Sequence, residues 1–318
     1  MGDPAGIGPE VIAKALPLIV TECEPVLVGL PGLFNESINR YAKLREDDPA
    51  RRVEVVMPSG VVDPAVETDP APAFDLATRG RLQTAFIRAA VAMAMDRKVD
   101  AVVTGPITKE ALDAAGIDFP GHTEMIADLC GIPTPVMMLA GPKLRVVPLT
   151  IHMALRDVPD VLTRALVETR IRILDRDLRR YFGLETPRIA LTGLNPHAGE
   201  GGMFGTEEID VLAPCVASLR KEGIEITGPY PADTIFVRAV AGDFDVVVAP
   251  THDQALIPLK LLHFDEGVNV TLGLPIIRTS PDHGTAPDIA GQGVASPTSM
   301  IAAVRMAMQM ARAAGLTV

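Results

Sequence analysis

The chain has 318 residues, a formal charge of −11 and no Trp among its 4% aromatic residues. So acidic and ring-poor a chain lacks the clustered Lys and Arg that bind phosphate backbones and the stacking platforms that hold single strands, which excludes nucleic acid as a partner. Cys23, Cys130 and Cys215 form no CxxC pair, which excludes a disulfide framework and a cysteine zinc cluster and points to a reducing cytoplasm.

In chain order, Gly2-Asp3-Pro4-Ala5-Gly6-Ile7-Gly8-Pro9-Glu10 reads as a turn leading into a helix that starts near Pro9. Such a turn normally follows a strand, so a first strand is expected ahead of Met1. The three glycines suit a backbone cradle for an anion or cofactor at a helix N-terminus, or alternatively a tight turn with positive φ. Neither GxGxxG nor a P-loop occurs anywhere in the chain.

Short valine-rich or isoleucine-rich runs predict strands over 26–30, 53–57, 101–104, 136–140, 144–150, 189–194 and 246–249. Their near-continuous hydrophobicity implies strands covered on both faces. Helical spacing predicts helices over 78–96, about 160–181 and 206–222, the last stopped by Gly223, and a final helix opened by Ser296 and Pro297. Residues 58–77, with four prolines and no period, read as an irregular connection. This alternation is an α/β pattern too large for one small core, and no apolar run is long enough to cross a bilayer.

Three histidines stand just past β-branched runs: VVPLTIH at His152, IALTGLNPH at His197 and VVVAPTH at His252. Ligands of open α/β sheets bind outside the carboxyl ends of the strands, so these imidazoles form a candidate three-histidine metal site. Three unrelated loop histidines are the alternative. His122 and Thr123 at a predicted helix start can meet a phosphate or carboxylate, although plain N-capping by Thr123 is the simpler role. Lys260, Asn269 and Arg278 lie amid apolar residues, as capture of an anionic substrate requires, or else serve surface solvation. Asp233 and Asp253 are candidate carboxylates for proton transfer or for orienting a metal-bound imidazole. His283 and His263 are expected to serve structure, or in the case of His283 a cofactor.

The segments MGDPAGIGPE, TGPITKEAL, GHTE, LNPHAGEGG-FGTEE, GPYPADT, HDQALIPLK, GVNVTLGLPIIRTS and DHGTA-DIAG run in this order over almost the whole chain. Together they resemble the 4-hydroxythreonine-4-phosphate dehydrogenase family of pyridoxal phosphate biosynthesis. The resemblance implies an isocitrate/isopropylmalate-dehydrogenase-like fold of two α/β/α lobes with a cleft between them. The lobes would be 1–122 with 276–318, and 123–275 carrying the histidines. It further implies a homodimer with the active site at the subunit interface.

The implied reaction oxidises the C3 hydroxyl of 4-phosphooxy-L-threonine with NAD or NADP and one divalent ion (Zn, Mg or Co). Decarboxylation to 3-amino-2-oxopropyl phosphate follows. Position by position, the resemblance makes His152, His197 and His252 the metal ligands. It places His122, Thr123, Lys260, Asn269 and Arg278 at the substrate; Asp233, a candidate carboxylate in its own right, is taken as the general base, and Lys260 is also taken as catalytic. No residues are assigned to the nicotinamide. The chain departs from the family in carrying Pro250-Thr251 ahead of His252, where Tyr is frequent, and Ala255 for a glycine. A paralogue oxidising 4-phospho-threonate or 4-phospho-erythronate is the alternative, and a non-redox metal hydrolase or lyase a more distant one.

Overall fold

The structure is a computed structural model that describes residues 1–58 and 74–316. Most of the expected irregular connection, 59–73, lies outside the described residues.

From the start of the chain the elements are α1 (Gly8–Ile19), β1 (Val26–Val28), α2 (Pro31–Ser37), β2 (Glu54–Val56), α3 (Leu76–Met95), β3 (Ala101–Val103), α4 (Lys109–Ala114) and α5 (His122–Leu129). The middle of the chain adds β4 (Val136–Ala140), β5 (Arg145–Pro148), α6 (Val158–Val161), α7 (Arg164–Phe182), β6 (Ile189–Thr192) and α8 (Ala213–Lys221). Then come β7 (Ile226–Tyr230), α9 (Ile235–Val240), β8 (Val246–Ala249), α10 (His252–His263) and β9 (Val268–Leu272). The chain finishes with β10 (Ile277–Pro281) and α11 (Thr298–Ala313).

All seven runs predicted as strands form strands. They read clearly because each is a short, mostly apolar run; those of the second unit, β4, β5, β6 and β8, are buried at nearly every position. The three strands that the pattern left out carry polar or turn-forming residues: Gly228-Pro229 in β7, Asn269 and Thr271 in β9, and Arg278, Thr279 and Ser280 in β10. The helix predicted over 78–96 starts slightly earlier, because Asp75 caps α3 by accepting a 2.6 Å hydrogen bond from the Thr78 N–H. The last helix starts one residue later than expected: Pro297 is its N-cap and makes no side-chain cap bond, while Ser296 stands before the cap and accepts from Thr298 N at 3.3 Å.

The chain divides into two compact units, Met1–Pro135 with Leu274–Val318, and Val136–Gly273. The first boundary thus lies beyond 122/123, because α5 buries Met125, Ile126 and Ala127 in the core of the first unit, beside Val91 of α3, Leu112 of α4 and Leu274.

In the first unit β1 pairs with β2 and β3 with β10, both parallel. Leu16, Leu30, Phe34, Leu82 and Phe86 form a second core there. In the second unit the strand order is β9-β4-β5-β8-β6-β7. β4 runs antiparallel to β5 and β9, whereas β5, β8, β6 and β7 are mutually parallel, making a mixed sheet. Leu139, Val146, Ala190, Val247 and Leu259 meet in its core. The parallel run decides where the site lies, because it sends the carboxyl ends of three adjacent strands, β5, β8 and β6, to one edge. Among the described residues no helix is long and apolar enough to cross a membrane.

Candidate functional site

His152, His197 and His252 follow β5, β6 and β8 within a few residues. The first and last are drawn together by an extension of the β5–β8 ladder: Leu149 N donates to Ala249 O at 2.7 Å and Thr150 N to Pro250 O at 3.1 Å. The Thr150 hydroxyl adds a 2.7 Å bond to Pro250 O. Arg170, from α7, donates to Leu149 O and steadies the same strand end. Leaving two linked backbones, the rings of His152 and His252 stand 6.1 Å apart between centroids.

His252 opens α10, whose start is fixed by a capping box between Thr251 and Gln254. Its Nδ1 lies 2.8 Å from Asp253 Oδ1, the contact expected of a carboxylate that orients an imidazole and leaves Nε2 to face a ligand.

His197 sits in an unusual backbone. His197, Ala198, Gly199, Glu200 and Gly201 all have positive φ, at 53°, 52°, 81°, 44° and 66°. Non-glycine residues in this region cost about 1 kcal/mol or more each, so the loop persists only where its surroundings fix it. One such clamp is Glu208, only 3% exposed, whose carboxylate accepts from Asn195 N at 2.8 Å and from Asn195 Nδ2 at 3.0 Å. A Cβ on Gly199 would come within 2.7 Å of the same carboxylate. His197 itself lies 6.5 Å from the Phe204 ring. Among the described residues no three His, Cys, Asp or Glu groups are already drawn to metal-binding separation. The donor set nonetheless fits a divalent ion: imidazoles on three neighbouring strand ends, with an acidic partner beside His252.

Asp233 is exposed between β7 and α9, at the carboxyl end of the strand next to β6. Lys260 is half-buried on the last turn of α10, the helix that His252 begins. Asn269, on β9, keeps a buried Oδ1 that has no hydrogen-bond partner, an acceptor still to be matched by a donor.

The other expected substrate residues belong to the first unit and cluster around Arg278. This guanidinium is fully buried on β10; Nη2 donates to Thr104 Oγ1 at 2.7 Å and Nη1 to Thr123 Oγ1 at 3.4 Å. Burial pulls its pKa down to about 10, with Glu124 acting in the opposite sense, so it remains a cation at neutral pH. Burial first, and then the charges of Arg278 and Lys109, hold the His122 imidazole well below its ordinary pKa of 6.5. Neutral His122 therefore offers hydrogen bonds and not charge. Thr123 does not cap α5, whose N-cap Gly121 makes no side-chain bond, so its hydroxyl is available to Arg278.

The opening glycines answer to packing more than to turn geometry. Only Gly2 of the three has positive φ, and a Cβ there would meet Pro106 O at 2.3 Å; one on Gly6 would meet Thr285 Cβ at 2.9 Å. The opening segment thus lies directly on the TGPIT and DHGTA segments. Asp3, fully buried, is held there by Arg79 and Thr108. Of the remaining histidines, His263 is structural: its buried Nε2 accepts from Lys143 N at 3.2 Å. His283 holds Nδ1 3.0 Å from Gly284 O.

The family model of the pyridoxal phosphate biosynthetic protein PdxA matches residues 21–307. The chain belongs to the PdxA family. This PdxA-family chain is 51% identical to the 4-hydroxythreonine-4-phosphate dehydrogenase of Methylorubrum populi, a match covering 98% of this chain and 93% of that protein. A crystal structure of 4-hydroxythreonine-4-phosphate dehydrogenase from Klebsiella pneumoniae superposes with a TM-score of 0.86 at 42% identity, covering 98% of each chain. More distant is a terephthalate 1,2-cis-dihydrodiol dehydrogenase from Burkholderia xenovorans, with a TM-score of 0.66 and 31% identity over 100% of this chain and 97% of that one.

Several residues that build the site in this PdxA-family chain escaped the sequence reading: Thr104 under Arg278, Asn195 and Glu208 behind His197, and Gln254 in the capping box. Only the last had a local signal, the Thr-x-x-Gln spacing of residues 251–254.

Proposed function

We propose that this chain is a metal-dependent NAD(P) dehydrogenase that oxidises the C3 hydroxyl of 4-phosphooxy-L-threonine and releases carbon dioxide, leaving 3-amino-2-oxopropyl phosphate. The observation that carries the reading is the edge formed by β5, β8 and β6, with the His152 and His252 rings 6.1 Å apart, in a chain half identical to proteins named for this substrate.

His152, His197 and His252 would hold the ion. A divalent ion there, whether Zn, Mg or Co, supplies Lewis acidity, lowering the pKa of the substrate hydroxyl and stabilising the negative charge left when carbon dioxide departs. Asp233 takes the hydroxyl proton as hydride leaves C3 for the nicotinamide of NAD or NADP. Cleavage of the C1–C2 bond then leaves an electron pair on C2 that ends as a C–H bond. Arg278 presents a planar cationic fork to the phosphate, joined by Thr123 and by neutral His122. Lys260 adds positive charge toward the anionic substrate, and the unmatched Asn269 Oδ1 accepts from its donor groups.

A homodimer is part of the proposal. Ile257 and Leu261 on the exposed side of α10, with Phe264 at its C-cap, follow helical spacing, Leu261 being 84% exposed, a face that a second copy would cover. The cytoplasmic assignment rests on Cys23, Cys130 and Cys215, which are free thiols.

The test is formation of reduced nicotinamide, followed by absorbance, with metal-loaded protein and 4-phosphooxy-L-threonine, alongside release of carbon dioxide. His152→Ala, His197→Ala and His252→Ala should each remove turnover and bound metal together. Metal-independent turnover would overturn the reading.

A further inference from the structure

We infer that Gln254 is the positioning residue that locks the His197 loop to the His252 helix, an inference that rests on reading the three histidines as a metal site. The two neighbours of the central strand β8 are joined to it in different ways. On the β5 side, backbone bonds continue past the strands through Leu149–Ala249 and Thr150–Pro250, so a main-chain ladder, reinforced by the Thr150 hydroxyl, ties the His152 segment to the His252 segment. On the β6 side the parallel register runs only to Leu191 opposite Val248. Beyond that point the chain leading to His197 turns into its left-handed run.

The Gln254 side chain spans this gap. Its Nε2 donates to Gly193 O at 3.0 Å and to Leu194 O at 3.4 Å, on the segment that carries His197. Its Oε1 accepts from Thr251 N at 3.2 Å and from Thr251 Oγ1 at 3.1 Å, immediately before His252. All four bonds use the amide in one orientation, with donors toward the β6 loop and the acceptor toward the α10 start. Glu207 and Glu208 hold Asn195 from a separate direction, so the strained loop is gripped ahead of His197 by three side chains. Removing the amide frees the loop to drift relative to His252 while leaving every histidine in place. Loss of groups that orient metal ligands costs about 10–100-fold in metal affinity.

The probe is Co2+, titrated into metal-free protein and followed by its visible absorption. Gln254→Met keeps the side-chain length and removes donor and acceptor; Gln254→Asn keeps the amide but cannot reach Gly193, and stands in should the first variant fail to fold. Thr251→Val weakens the helix cap and leaves the Nε2 bonds intact. The expected result is a folded Gln254 variant that binds Co2+ about 10–100-fold more weakly, with an altered absorption band, while Thr251→Val stays near wild type. Unchanged affinity and band in the folded Gln254 variants would overturn the inference, as would an equal loss in Thr251→Val, which would make the effect one of helix capping. Failure of the wild-type chain to bind Co2+, or binding that survives His197→Ala, would instead overturn the metal-site reading and this inference with it.

Discussion

Arg278 on β10 donates a 2.7 Å hydrogen bond to the Thr104 hydroxyl at the end of β3, the parallel strand beside it. A fully buried guanidinium is costly unless its surroundings and its ligand compensate it, and here its aim is set by two hydroxyls on different elements. Arg278→Lys keeps the charge but loses the fork, and is expected to raise KM for a phosphorylated substrate by about two orders of magnitude, within the ~2–5 kcal/mol range for breaking a buried charge contact. Thr104→Val removes one bond to the cation and should cost about 2 kcal/mol of substrate binding. Steady-state kinetics of both variants check this; an unchanged KM in Arg278→Lys would remove Arg278 from the substrate site.

The strands that carry the candidate metal site were legible in the sequence, and other elements were hidden for identifiable reasons. The β-branched apolar runs ahead of His152, His197 and His252 announce strands because buried parallel strands need apolar residues on both faces. β9 and β10 escaped because they carry the half-buried Asn269 and the buried Thr271, Arg278 and Thr279, polar groups that a hydrophobic pattern counts against a strand. α10 escaped because Pro258 lies inside it. Glu208 and Gln254 act through hydrogen bonds to backbone distant in sequence, which no local spacing encodes.

Acid should weaken the fold before it reaches the carboxylates. The folded-state pKa values of His122 and His263 are both lowered from 6.5, in each case chiefly by burial. Above that pH both are neutral in either state. As pH falls below about 6.5 the unfolded chain takes up protons that the folded chain refuses, so stability declines on the acid side, by at most about 1.4 kcal/mol per pH unit for His263 alone. Urea unfolding at pH 7.5, 6.0 and 5.0 measures the slope; His263→Gln, which keeps an acceptor for Lys143 N, should be less steep.

Gly80 is needed in α3 for space. A Cβ there would lie 1.9 Å from Ala111 O of α4. Gly80→Ala gains about 1 kcal/mol of helix propensity, yet the forced separation of two packed helices costs about 1–3 kcal/mol or more. A net loss of stability, seen as a lower Tm, is expected, against the rise that an open helix position would give.

Leu261 stands 84% exposed on α10, the helix that begins at His252. Leu261→Glu places a charge in the face assigned to the second copy and should shift the protein to monomers in sedimentation velocity. A wild-type chain that sediments as a monomer would remove the homodimer from the proposal.

The most direct test of the central claim offers metal-loaded protein 4-phosphooxy-L-threonine, 4-phospho-threonate and 4-phospho-erythronate in parallel, with NAD and with NADP, and follows reduced nicotinamide. Turnover of the amino acid is expected, with loss of carbon dioxide and complete dependence on the divalent ion. Turnover confined to the sugar-acid phosphates would contradict the substrate assignment, and no hydride transfer from any of the three would contradict the dehydrogenase reading itself.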